Sequence, residues 1–95
     1  MSGSANGVLV TLLNAVVATG ASREISPTNN QISFQVTIAT TATVTLQASL
    51  DGTNWSTIGT ALTASGLVSF DAPYKFVRAN CTAWTSGAVT CKCFY

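Results

Sequence analysis

The chain has 95 residues, three acidic and four basic side chains, no histidine and a formal net charge of +1, a length that supports one domain and excludes two. Charged residues make up 7% and hydrophobic residues 47%, whereas soluble domains carry about 25% charged residues; the surface must therefore be built from Thr, Ser, Asn, Gln and Gly. Such a nearly neutral surface favours association, and the scattered Arg23, Lys75, Arg78 and Lys92 offer no stripe for phosphates, so nucleic acid is not an expected partner.

Ser2 to Gly7 is polar and reads as a flexible N-terminal arm over residues 1–7, followed by one domain over residues 8–95. Val8 to Val17 is aliphatic and β-branched and closes at Thr19-Gly20. The apolar run Val8 to Ala18 is interrupted by Thr11 and Asn14 and falls short of the ~18–20 residues that cross a bilayer, so no membrane span is expected. No basic residue precedes Arg23, as the n-region of a signal peptide requires, and the segment is expected to be a strand.

A short strand near Arg23 to Ser26 follows, then the turn formers Pro27 to Asn30. From Ile32 the alternation is regular: Ile32, Phe34, Val36 and Ile38 on one side, Ser33, Gln35 and Thr37 on the other, the period of a half-buried strand. Ala42 to Ser49 repeats it with Val44, Leu46 and Ala48 inward. Asp51-Gly52 then turns the chain into a strand from Trp55 to about Leu62.

Ser65-Gly66 marks a tight turn before Leu67 to Phe70, which stops at Asp71-Ala72-Pro73 because proline removes a ladder donor. Tyr74 to Thr82 resumes extended structure, Thr85-Ser86-Gly87 is the last turn and Val89 to Tyr95 the last strand. Helix formers never accumulate, and threonine is the commonest residue. The expected fold class is all-β, a small antiparallel β-sandwich or barrel of about seven strands.

Without histidine the commonest general base and most transition-metal sites are missing, and no catalytic residue or cofactor is expected. Asp51 and Asp71 both sit in turns, where Asp bonds its own backbone; a calcium site at Asp51, Thr53 and Asn54 would need more carboxylates. The last hairpin is expected to bring Cys81 close to Cys91, as a thiol contact or a disulfide. Three cysteines cannot complete a zinc site within one chain, and the odd count favours buried free thiols.

Trp55 is expected in the core. Trp84, at the tip of the last hairpin, Tyr74 and Tyr95 are candidate contact residues, because Trp and Tyr anchor subunit contacts and sugar platforms alike. Arg78 faces away from Val77 and Ala79 and is expected to pair with an acid, as a register or interface device.

At Ala48-Ser49-Leu50-Asp51-Gly52-Thr53-Asn54-Trp55, then Pro73-Tyr74-Lys75-Phe76-Val77-Arg78-Ala79-Asn80, then Ser86-Gly87-Ala88-Val89-Thr90, the chain resembles small β-sandwich virion structural proteins of tailed bacteriophages, over roughly Ser22 to the C-terminus. The first piece is also similar to discoidin-like and other carbohydrate-binding sandwiches, but this chain is much shorter and lacks their flanking cysteine bridge. The phage resemblance implies a capsid decoration or cement protein that stabilises the head by subunit contacts. It further implies a homo-oligomer whose partners are the major capsid protein or other virion proteins, located in a virion assembled in the host cytoplasm. The alternative it implies is a tail, fibre or adhesion module holding host-surface glycans, for which the aromatic residues themselves offer Trp84 and Tyr74 as contacts. The shared motif is a fold signature, so no functional residue carries over from it.

Overall fold

The computed structural model describes residues 7–28, 30–71 and 73–95. The expected arm, apart from Gly7, lies outside them, as do Asn29 of the turn cluster Pro27 to Asn30 and Ala72 of the stop Asp71-Ala72-Pro73. Among the described residues eight strands form: β1 (Leu9–Val16), β2 (Gly20–Ala21), β3 (Ile32–Ile38), β4 (Thr41–Ser49), β5 (Ser56–Thr57), β6 (Gly66–Phe70), β7 (Phe76–Ser86) and β8 (Val89–Phe94). They make two four-stranded antiparallel sheets, ordered β1-β8-β3-β6 and β2-β7-β4-β5. Packed face to face, they resolve the sandwich-or-barrel expectation as a sandwich.

The alternation in β3 and β4 does what its period requires. In the first sheet the inward row Val10, Cys93, Phe34 and Val68 crosses all four strands in register, and Leu13, Cys91, Val36 and Gly66 form the next. The second sheet answers with Ala42 beside Trp84, Val44 beside Cys81, Leu46 beside Ala79 and Ala48 beside Val77. Phe34, Val44, Val77, Ala79, Val89, Cys91 and Cys93 are fully buried in the resulting core.

Two bulges set which residues reach that core. On β1 the register moves from Thr11↔Lys92 to Leu13↔Cys91, so Leu12 is the extra residue and both leucines are buried. On β7 it moves from Val44↔Cys81 to Thr43↔Ala83, which makes Thr82 the extra residue and flips the parity beyond it. Trp84 therefore faces inward, where unbroken alternation from Val77, Ala79 and Cys81 would turn it out.

Connectivity differs most from the sequence reading. Only β4 to β5 turns back within one sheet; the other connections, those at Ser65-Gly66 and Ser86-Gly87 included, arch from one sheet to the other. Cys81 and Cys91 are therefore not cross-strand neighbours: Cys81 lies beside Val44 and Gly20 in the second sheet, Cys91 beside Val36 and Leu13 in the first. The expected strand from Trp55 to Leu62 shrinks to Ser56–Thr57 plus a single bridge between Leu62 and Val44. The strand expected at Arg23 to Ser26 moves to Gly20–Ala21, leaving one bridge from Ile25 to Val77.

Candidate interaction surfaces

One end of the sandwich is shaped by a polar knot that the sequence Ser49-Leu50-Asp51-Gly52-Thr53-Asn54 ties on itself. Asp51 Oδ1 accepts the backbone N–H of Thr53 and of Asn54, each at 2.8 Å, and the Ser49 hydroxyl at 2.9 Å. Its Oδ2 accepts Asn54 Nδ2 at 2.9 Å, while Ser49 Oγ accepts the amides of Asp51 at 3.2 Å and Gly52 at 2.9 Å. This is the turn role expected of Asp51, and a calcium ion there would have to displace four donors. The amides of Asn54 and Thr53 hold its carboxyl well below the usual carboxylate range. The stabilisation is thus present above the ordinary carboxylate pKa and is lost as pH falls toward the lowered one.

The knot pushes Leu50 into solvent at 77% exposure. Tyr74, half-buried with its ring edge-on to Phe70 at 6.4 Å, stands between two open clefts that share Leu50. One, of about 410 Å³, is bounded by Asp51, Asn54, Ser56 and Ile58; the other, of about 450 Å³, by Pro27, Asn30, Pro73 and Lys75. Leu50 escaped the sequence reading because it stands next to the turn signal, where side-chain direction follows the hydrogen bonds of the knot and not strand alternation.

Trp84 is at the other end. It pairs with Ala42 while Phe76 pairs with Ser49, so the length of β7 separates it from Tyr74, about 3.3 Å per residue of strand. Its ring packs against the core and its indole N–H donates to the Gly87 carbonyl at 2.7 Å. A sugar platform made jointly by Trp84 and Tyr74 is therefore ruled out by register. Tyr95 is half-buried and exchanges backbone hydrogen bonds with Val8, extending the β1–β8 ladder.

Arg78 does face outward, but its partners are not acidic. Its Nε donates to Gln47 Oε1 at 2.8 Å and its guanidinium lies 4.3 Å over the Trp55 ring, a stack whose strength grows as the groups leave water. Trp55 accordingly belongs to the outer face of the second sheet and not to the core. Arg78, Gln47 and Trp55 form a register lock across β4, β7 and the loop before β5.

All three cysteines are free and buried. Burial pushes the thiols of Cys91 and Cys93 up to about 12, with Cys91 adding to the effect on Cys93, and raises Cys81 as well. A neutral thiol is thus the folded form, and protons held by the folded state but released by the unfolded one make stability fall as pH rises from about 9 toward 12. Thiol reagent at pH 8 is expected to leave the native protein unmodified and to titrate three cysteines after denaturation; rapid native labelling would overturn the burial.

The outer face of the first sheet is almost uncharged. In register across it run Leu9, Phe94, Ser33 and Ser69, then Thr11, Lys92, Gln35 and Leu67, with Thr90 and Thr37 beyond. Leu9 and Leu67 are 65% and 69% exposed, and Phe94 is 45% exposed. Lys92 is the one cation in these rows. The alternation of β3 makes this face readable in sequence, but only the strand order brings its leucines and phenylalanine together.

Comparison with solved structures finds a match over the whole fold. The crystal structure of the SPBc2 prophage-derived protein YomS superposes with a TM-score of 0.82 over 94% of this chain and 91% of that one, at 14% identity. No protein-family model and no curated protein matches the chain. At that identity the likeness is one of fold.

Proposed function

We propose that this chain is a bacteriophage structural protein, most specifically a capsid decoration or cement protein that lies against the major capsid protein. The observation that carries the reading is the outer face of the β1-β8-β3-β6 sheet, which presents leucine, phenylalanine, threonine, serine and glutamine with Lys92 as the cation in its rows. A face so poor in charge costs little to desolvate, since unpaired charges dominate that cost. The fold likeness to a prophage-derived protein supports a phage setting. The molecule measures 38 × 35 × 19 Å, a tile whose broad side is large enough to supply the roughly 800 Å² per partner of a standard interface. Repetition around a shell turns modest contacts into strong retention.

The test is to mix purified protein with empty shells of the phage that carries the gene, sediment them, and count copies retained. Saturable retention of many copies per shell is the expected result. The variant Gln35→Glu with Thr37→Lys, which leaves net charge unchanged while adding two strongly hydrated groups to the face, should lower retention by at least tenfold, about 1.4 kcal/mol. Absence of retention, or equal retention of the variant, would overturn the reading; a few copies at one vertex would move it to a tail component.

A further inference from the structure

The two sheets have four edge strands, and three are guarded. β2 and β5 are two residues long, and β1 is broken by two register shifts, with Ala15 at φ 51° in the second. Short or bulged edges are how sandwiches avoid pairing with other chains. β6 has none of these devices. Gly66–Phe70 pairs with β3 through five consecutive residues without a shift and contains no charged residue and no proline. Among the described residues its outward backbone groups have no hydrogen-bond partner. The core is also incomplete there: Val68 and Phe70 are only half-buried, although Phe34 and Ile32 beside them on β3 are buried.

We propose that β6 pairs antiparallel with β6 of a second copy, centred on Val68, joining two first sheets into one continuous eight-stranded sheet. The strand is complementary to its own reversal. Centred on Val68, Gly66 lies opposite Phe70 of the other copy on the inner side, and Leu67 lies opposite Ser69 on the outer side. Each large side chain meets a small one, and an aromatic beside an edge glycine is a stabilising pair. The two-fold symmetry repeats both pairs, as an isologous contact must. With no charge on the strand, nothing on it repels its copy. The contact uses an edge of the molecule and leaves the broad outer face free, so it stands whether or not that face binds a shell.

Sedimentation velocity of the whole protein over a dilution series is expected to show a monomer–dimer equilibrium. Leu67→Lys with Ser69→Lys places lysine opposite lysine twice and should weaken the dimer at least about tenfold, because like charges across a strand pair repel. Leu67→Glu with Ser69→Lys places opposite charges there and should restore it. Val68→Cys should form an intermolecular disulfide with the thiol oxidant diamide, since directly opposed residues sit within disulfide reach. A parent-like far-ultraviolet circular dichroism spectrum and a cooperative thermal melt establish that each variant is folded. A parent protein that stays monomeric, a dimer indifferent to the lysine pair, or a Val68→Cys variant that does not cross-link would each overturn the proposal.

Discussion

Replacing Phe34 with alanine is expected to cost about 3–5 kcal/mol of folding stability, and to lower Tm by roughly 15–30 °C for a domain of this size. Phe34 is fully buried at the middle of β3, between Cys93 on β8 and Val68 on β6, and its ring meets Phe70 edge-on at 6.0 Å. It is the largest of the fully buried side chains. The strands around it are held by ladders on both sides, so they cannot collapse into the space left behind, and a cavity that stays open adds its own cost to the lost transfer energy. A protein of this length has only about 5–10 kcal/mol in hand, so one truncation would consume a large part of it. Phe34→Leu keeps most of the volume and should cost no more than about 1.5 kcal/mol. Chemical denaturation measures both; a Phe34→Ala loss under about 1 kcal/mol would mean that the two sheets do not close on that ring.

The residues around Phe34 were legible because period two needs nothing beyond neighbours in sequence. Val44, Leu46 and Ala48, like Ile32 to Ile38, went inward as their alternation requires. What failed depended on information that periodicity does not carry. Trp84 could not be placed because the extra residue Thr82 inverts the alternation, and a bulge has no fixed signature in a run such as Cys81-Thr82-Ala83-Trp84. Cys81 and Cys91 could not be assigned to different sheets because Ser-Gly marks a reversal of the chain equally well for a hairpin and for an arch. Arg78 was placed on the correct face, but its partners Gln47 and Trp55 come from β4 and from a loop, and only the assembled ladder brings the three together.

The same topology separates the surfaces from one another. Because most connections cross between sheets, each sheet's strands come from distant parts of the chain, and the outer face of the first is assembled from both termini and the middle. Non-local pairing of this kind predicts slow folding relative to helical domains. It also places the loops at the two ends, leaving the broad face free of them. The shell contact proposed above would use that division, because the two clefts flanking Tyr74 are lined by none of the residues in the rows of the broad face.

Gly87→Ala is the substitution expected to damage the opposite end of the sandwich, by about 2–4 kcal/mol, from backbone strain and overpacking together. Gly87 has φ 86°, a left-handed conformation that alanine adopts at a cost of about 1–2 kcal/mol. A Cβ there would also stand 2.8 Å from the backbone nitrogen of Thr40. Thr40 cannot step aside easily: it belongs to the β3–β4 arch, which is tied to the β7–β8 arch by the Ala39 N–H to Ala88 carbonyl bond at 3.1 Å, while Trp84 is fastened to Gly87 itself. Gly52, at φ 77°, separates the two causes, because a Cβ there would meet the flexible Glu24 carboxylate at 3.3 Å instead of backbone. Gly52→Ala should therefore show the conformational cost alone, about 1–2 kcal/mol. Denaturation of both variants decides the matter: a clearly larger loss at Gly87 establishes the stacked arches as the rigid end of the fold, and equal losses would mean that the arch at Thr40 yields and that only the dihedral is penalised.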